Sequence, residues 1–353
     1  MECIRVQGEK KYIKEFLILP RCLYSQKENM ESASSVRELL LKEHALSGYF
    51  DLDAYIIRDK RRIVGRFAIT TYEGDDTAYL GFFECKDSKE AAAFLFEKAR
   101  EISREKKCKR ILGPVDASFW IKYRLKINLF ELPPYTGEPY NKDYYYKLFL
   151  ENGFAVKEHY TSSGFRALDK SYVNEKFESR YKEFLAKGYR IESPKIEDYD
   201  KAMGDVYTMI SELYSDFPVF KALSREDFAK TFSSYKSIMN MSMTKIAYYE
   251  DKAVGFYISL PDYGNKVYHL NLFNLFEILK IKKQPKQYVM LYMGVDAKHR
   301  GLGKAIVYAI MKELEENGLP SIGALARDGK VTQNYAAEEK NRIYEYVLLE
   351  SEL

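Results

Sequence analysis

Apolar positions along the chain fall into two successive sets of strand and helix signals. In the first, residues 16–23 are an apolar run of strand length, and residues 34–44 carry apolar side chains at helical spacing. Residues 54–58 and 63–70 alternate as two strands of a meander joined by the polar turn Asp59-Lys60-Arg61-Arg62. Residues 79–84 read as an aromatic strand. Asp87 and Glu90 then resemble a capping box ahead of a long helix whose inner face is Ala92, Leu95, Phe96, Ala99 and Ile102. A strand over 109–113, a helix over 141–150 with Gly153 past its end, and a strand from Phe154 toward Phe165 complete the set.

A charged helical connector over 171–184 leads into a second set that repeats the order of the first. It holds a strand in 188–193, helices near 203–214 and 225–238, and strands over 245–250 and 254–260. After an insertion over 262–286 come a strand over 287–295 and a helix over 302–316. That helix has Ile306, Ile310 and Leu314 on one stripe, Val307 and Met311 beside them, and Gly318 and Pro320 as its stop. A strand over 321–326, a helix over 332–343 and a strand over 346–349 follow. Two similar α+β halves in tandem, 1–170 and 171–353, are the economical reading, and 353 residues suit two domains of ordinary size.

Composition narrows the classes. Hydrophobic residues make up 46% and charged residues 31%, as in a soluble globular protein. The net charge of +4 comes from 56 basic and 52 acidic residues that are interspersed, which argues against nucleic acid as a partner. Cys3, Cys22, Cys85 and Cys108 lie far apart with no zinc spacing, which fits reduced thiols in a cytoplasm. The first sixteen residues lack a signal-peptide core, and nowhere do eighteen apolar residues run together, so no membrane span is expected. The most lipid-like stretch, 268–279, is short and ends in Lys280-Ile281-Lys282-Lys283; the pattern favours a buried amphipathic segment or substrate lid over membrane-surface contact.

The chemistry concentrates after the strand that ends in Met293-Gly294-Val295. The chain passes through Asp296-Ala297-Lys298-His299 into Arg300-Gly301-Leu302-Gly303-Lys304-Ala305, where the helix begins. Glycines let successive backbone N–H groups converge on one anion, and the helix N-terminus adds unpaired N–H groups and partial positive charge. Ile306 stands where a dinucleotide fingerprint needs its third glycine, and the nucleotide-loop spacing is missing, so neither of those readings holds. A plain surface turn capping a helix is the remaining alternative, disfavoured by the strand before the turn and the helix after it.

The turn matches the Arg/Gln-x-x-Gly-x-Gly/Ala pyrophosphate signature of the GNAT superfamily, with Arg300, Gly303 and Ala305 in the defining places. The chain thus resembles that superfamily, most strongly over 287–350 and by element order alone over 188–260. The resemblance implies an α+β fold of two GNAT-like domains in tandem, each a mixed, mostly antiparallel twisted sheet flanked by helices. It also implies acetyl-CoA or another acyl-CoA as co-substrate, and no metal. The pyrophosphate would rest on Arg300, Gly301, Leu302, Gly303, Lys304 and Ala305, and the pantetheine arm along Met293, Gly294 and Val295, where that strand splays from its neighbour. Lys298, His299 and Lys304 could add charge for phosphates or be solvated surface.

A thioester is already activated, so an amine can attack it without a Ser or Cys nucleophile. The chain has no Gly-x-Ser-x-Gly elbow, no metal-binding His pair, and only His44, His159, His269 and His299. Transfer needs an unprotonated amine, a donor to the oxyanion and a proton for the thiolate. Backbone N–H groups near Met293–Val295 suit the second need. For the third, the resemblance implies Tyr344, which falls where GNAT enzymes place a tyrosine acid, one helix after the cofactor turn. A packing role competes, since the chain has 31 tyrosines. The asparagine the family carries seven residues earlier is Ala337 here, with Asn334 three positions before it. The base stays open among Glu212, Asp216 and Asp262.

The first half resembles a degenerate copy of the same fold. No glycine lies between Gly81 and Gly113, so Cys85-Lys86-Asp87-Ser88 offers no converging amides, and acyl-CoA is not expected there. Its aromatic segment 120–146 is either an acceptor pocket or core. The resemblance implies an N-acyltransferase, an acetyltransferase by first expectation, acting on a small-molecule or peptide amine. A non-catalytic acyl-CoA sensor or scaffold and a Fem-like aminoacyl transferase are the alternatives; the intact signature and modest charge disfavour the last.

Overall fold

The computed structural model describes every residue except 7, 331, 332 and 334. The chain forms two compact units: Met1–Pro134 with Glu138–Tyr160 and Tyr344–Leu353, and Tyr135–Gly137 with Thr161–Ile343.

In the first unit, β1 (Glu2–Arg5), β2 (Asp51–Asp59), β3 (Arg62–Thr71) and β4 (Thr77–Cys85) pair antiparallel in sequence order. The strand β5 (Arg110–Gly113) runs parallel to β4. Every residue of β4 is buried, as befits a central strand covered on both faces. One face is covered by α3 (Lys89–Glu105), whose Ala92, Leu95, Phe96 and Ala99 form a core with Ile57, Phe67, Ile69 and Leu80. The other carries α1 (Lys10–Leu23) and α2 (Ala33–Leu40), with Phe16 edge-on to Phe82. The short β6 (Val115–Asp116) and β7 (Lys122–Tyr123), which pair with each other, the short β8 (Leu125–Lys126) and then α4 (Tyr145–Glu151) lead to β9 (Ala155–Phe165).

Two sequence expectations change here. Residues 16–23 are the end of a helix, not a strand. Ile13, Phe16, Leu19 and Pro20 are its buried positions, and the apolar Leu17 and Ile18 between them disguise the helical period as a continuous run. The cap of α3 is Ser88, whose Oγ accepts from Ala91 N at 3.2 Å, one residue later than the expected Asp87.

In the second unit, α5 (Glu175–Ala186) precedes β10 (Arg190–Glu192), α6 (Tyr199–Leu213), α7 (Arg225–Phe232) and α8 (Tyr235–Ile238). The helix expected over 225–238 is therefore two. The strands β11 (Lys245–Tyr249), β12 (Lys252–Pro261) and β13 (Tyr288–Val295) continue an antiparallel ladder from β10. Between β12 and β13 lies α9 (Leu272–Lys283), which buries Ile278 alone, so the insertion is not a buried amphipathic segment. From β13 the chain enters α10 (Leu302–Asn317) and then β14 (Ser321–Arg327), parallel to β13. One side of α10 meets Phe184, Ala247 and Val254 through Leu302, Ala305 and Ile306; another meets Phe177 and Met290 through Val307, Ile310 and Met311.

The helix expected over 332–343 falls partly on undescribed residues, as does Asn334. Its described remainder is a 3-10 turn, Ala337–Glu339, followed by the strand β15 (Lys340–Glu352). Tyr344 and Tyr346 are buried while Ile343 is exposed and Glu345 half-buried, an alternation that belongs to a strand. Residues 344–353 complete the first unit, where Leu349 pairs with Gly113 and Tyr346 with Lys126.

Candidate functional site

The second unit opens its sheet at one place. Pairing of β13 with β14 runs from Tyr288↔Ser321 to Met290↔Gly323 and stops there, although both strands continue. On its other edge β13 stays paired with β12 as far as Gly255↔Val295, with a bulge that leaves Leu291 extra between Tyr292 and Met290. The bulge adds local twist to β13 where the pairing ends, and on the facing strand Leu325 lies in the left-handed region at φ 59°. The backbone of residues 291–295 on the β14 side is left outside the ladder. Tyr214 Oη donates to the Met293 carbonyl at 3.1 Å from the α6 side. Gly294 is required by close packing, since a Cβ there would come within 2.5 Å of Phe256 Cε1 and 2.7 Å of Leu213 Cδ1.

The wedge leads into the turn. Asp296 Oδ1 accepts from Lys298 N at 2.9 Å and shapes the 3-10 turn Ala297–His299, and His299 Nδ1 lies 2.6 Å from Tyr189 Oη. Gly301 caps α10 in the left-handed region at φ 98°, a conformation that favours glycine. Leu302, Gly303 and Ala305 are buried, which seats the first turn of α10 against the core, while Arg300 is exposed. A Cβ on Gly303 would approach Tyr335 Oη to 2.6 Å and Met293 Cε to 3.1 Å. The end of β13 and the N-terminus of α10 thus meet at Gly303, with the Tyr335 hydroxyl beside them.

Positive charge gathers at the same helix end. Burial lowers the Lys304 pKa from its ordinary value, and the neighbouring cations Lys176 and Arg180 of α5 lower it further. Lys176 and Lys304 thus stand together at this helix end, with Arg180 beside them paired to Glu183 at 2.6 Å. Burial alone raises the Tyr335 phenol pKa, which keeps it protonated; its ring meets Phe177 edge-on at 5.9 Å.

The structure therefore brings Met293, Gly294, Val295 and Arg300 through Ala305 together in the second unit. Tyr344 is not among them. It belongs to the first unit, is 2% exposed, and its ring lies 5.2 Å from Lys126 Nζ. Around it, Lys126 and Glu138 form a fully buried ion pair at 2.8 Å, and Tyr346 Oη donates to Glu138 Oε1 at 2.7 Å. Of the carboxylates weighed as a base, Asp262 accepts from Thr136 N, Gly264 N and Gln287 Nε2, and Asp216 pairs with Lys330 at 2.9 Å. Both hold loops together. Glu212 is exposed near the end of α6. The sequence reading missed Tyr335, Lys176 and Arg180. Spacing gave no signal for them, because tertiary packing of α5 and of the chain beyond β14 delivers them to the turn. No metal-binding cluster occurs among the described residues.

No family model matches the chain, and no curated protein does. Solved structures do. A tandem GNAT protein from the clavulanic acid biosynthesis pathway aligns over 99% of this chain and 98% of its own, at 11% identity and a TM-score of 0.54. A GCN5-related glucosamine N-acetyltransferase region of a fungal multi-domain GH3 beta-N-acetylglucosaminidase aligns over 99% of this chain and 38% of its own, at 13% identity and a TM-score of 0.56. With a mainly antiparallel mixed sheet in each unit and these neighbours across its whole length, the chain has the fold of a tandem GNAT protein.

Proposed function

We propose that the second unit binds an acyl-CoA and transfers its acyl group to an amine. The observation that carries this reading is the wedge between β13 and β14, which opens onto the glycine-capped N-terminus of α10. An extended pantetheine arm can take up the backbone groups of residues 291–295 that β14 leaves outside the ladder. Its pyrophosphate then falls on the N–H groups of residues 301–305, with Lys176, Arg180 and Lys304 around it. The site is made of small residues and backbone where close approach is needed, and of cations where charge is needed.

In the transfer step the amine lone pair adds to the thioester carbonyl, N–H groups at the end of β13 donate to the oxyanion, and the C–S bond breaks as the thiolate leaves. The thiolate needs a proton. The proton that the attacking nitrogen sheds supplies it; Tyr335, whose protonated hydroxyl stands at Gly303, lies at the pyrophosphate end of the arm and is placed to donate to a phosphate oxygen. The amine is the acceptor class, of small-molecule or peptide origin.

Calorimetric titration with acetyl-CoA tests the binding site. Lys304→Glu and Lys176→Glu are expected to weaken binding more than tenfold by reversing charge beside the phosphates. Equal affinity in wild type and both variants would remove the phosphates from this helix end. A non-catalytic acyl-CoA sensor is the second reading, favoured by the enclosure of Tyr344. Tight binding without turnover on a broad amine panel would select it.

A further inference from the structure

The insertion between β12 and β13 leaves an apolar helix face uncovered. Within α9, Leu272 is 89% exposed, Phe273 71%, Phe276 68% and Leu279 65%, with Leu275 also exposed. At 100° per residue, Leu275, Leu279, Leu272, Phe276 and Phe273 fall within an arc of about 160°, and the buried Ile278 lies outside that arc, next to Leu275. Scattered exposed leucines need no explanation, but five large apolar side chains on three turns of helix do.

The helix is held in this orientation. Asn271 Oδ1 caps it by accepting from Asn274 N at 2.9 Å, and Asn274 Nδ2 donates to His269 O at 2.7 Å. At its far end Lys282 Nζ donates to Ser237 O at 2.7 Å, and the preceding Tyr268 Oη accepts from Gly137 N at 3.0 Å. The exposed face is thus presented by a fixed element.

Charge selects the occupant. Over 266–286 the chain carries five lysines, Lys266, Lys280, Lys282, Lys283 and Lys286, and a single acid, Glu277. Lys280, Lys283 and Lys286 are exposed and have no ion-pair partner among the described residues. A second copy of this chain would bring the same surplus of lysines and one carboxylate to meet it. A lipid surface with anionic headgroups supplies both an apolar layer for the face and negative charge for its basic end.

We propose that α9 docks the protein on an anionic lipid surface. Leu272, Phe273, Phe276 and Leu279 enter the headgroup boundary, and Lys280, Lys283 and Lys286 lie among lipid phosphates. The helix is too short to cross the bilayer, so the attachment is peripheral. It is independent of the acyl-transfer reading.

The test is flotation of the full chain with vesicles of phosphatidylcholine alone and of phosphatidylcholine mixed with phosphatidylglycerol. The expected result is binding to the mixed vesicles that weakens as salt is raised. The double substitution Phe273→Ser, Phe276→Ser should lower binding at least tenfold. Each of Lys280→Gln and Lys283→Gln should lower it roughly fivefold. All four positions are exposed, so the variants keep the wild-type circular dichroism. No binding to mixed vesicles at low salt, or equal binding to both compositions, would overturn the proposal. So would self-association in sedimentation velocity that the phenylalanine variant abolishes, because a second copy would then be the occupant.

Discussion

Glu138→Gln exposes the largest electrostatic debt in the first unit. Lys126 and Glu138 are both fully buried and 2.8 Å apart, beneath Tyr140, Tyr344 and Phe130. At an effective dielectric constant of about 20, charges that close attract by about 6 kcal/mol, most of which offsets their loss of hydration. Glutamine keeps the shape and an oxygen for the Tyr346 hydroxyl, but leaves the Lys126 ammonium buried without its counter-charge. Breaking such a pair costs about 3–5 kcal/mol. For a unit of this size that lowers the unfolding midpoint by roughly 6–20 °C. The double variant Lys126→Met, Glu138→Leu removes both charges and should recover most of the loss. Calorimetry or thermal circular dichroism reads both. A Glu138→Gln midpoint within about 2 °C of wild type would refute the reasoning, since it amounts to less than about 1 kcal/mol. A double variant as weak as the single would show that the pair itself, and not the orphaned charge, carries the stability.

Other predictions follow from single contacts. Tyr335→Phe should weaken acetyl-CoA binding with little change in kcat, while Tyr344→Phe leaves both unchanged; calorimetric titration and stopped assays on one amine acceptor separate the two. Gly294→Val should weaken both stability and acyl-CoA binding, because its side chain meets Phe256 and Leu213 inside van der Waals contact, an overpacking of about 1–3 kcal/mol. Burial raises the Glu84 carboxyl to about 7, against which Arg66 and Tyr145 act in the other direction. The folded state then holds a proton that the unfolded state has released, so the stability of the first unit should fall as pH rises from about 4.5 to about 7. Glu84→Gln should flatten that decline, as unfolding midpoints at a series of pH values will show.

What the sequence made legible was local. The turn from Arg300 to Ala305 announces itself because left-handed backbone at Gly301 and close approach at Gly303 both demand glycine, and the stripe of α10 repeats at the helical period. The α1 helix was hidden because Leu17 and Ile18 fill the gaps between its buried positions, so a period of 3.6 looked like an unbroken strand. The strand expected over 346–349 begins earlier, at Lys340, because Lys340-Asn341-Arg342-Ile343 gives no alternation to read and looks like the end of a helix, and the pairing of Leu349 with Gly113 spans most of the chain. Tyr335 was invisible for the same reason. One tyrosine among 31 is distinguished only by what the fold puts beside it.

The most direct test of the central claim is thermal denaturation with and without acetyl-CoA, on wild type and on Gly303→Trp. Ligand at a hundredfold over its dissociation constant stabilises by about 2.7 kcal/mol, a rise of roughly 5–10 °C in the transition of the second unit. The account predicts that rise in wild type and its loss in the variant, whose indole fills the space between Tyr335 and Met293. No rise in wild type with any acyl-CoA, or an undiminished rise in a folded Gly303→Trp protein, would contradict it.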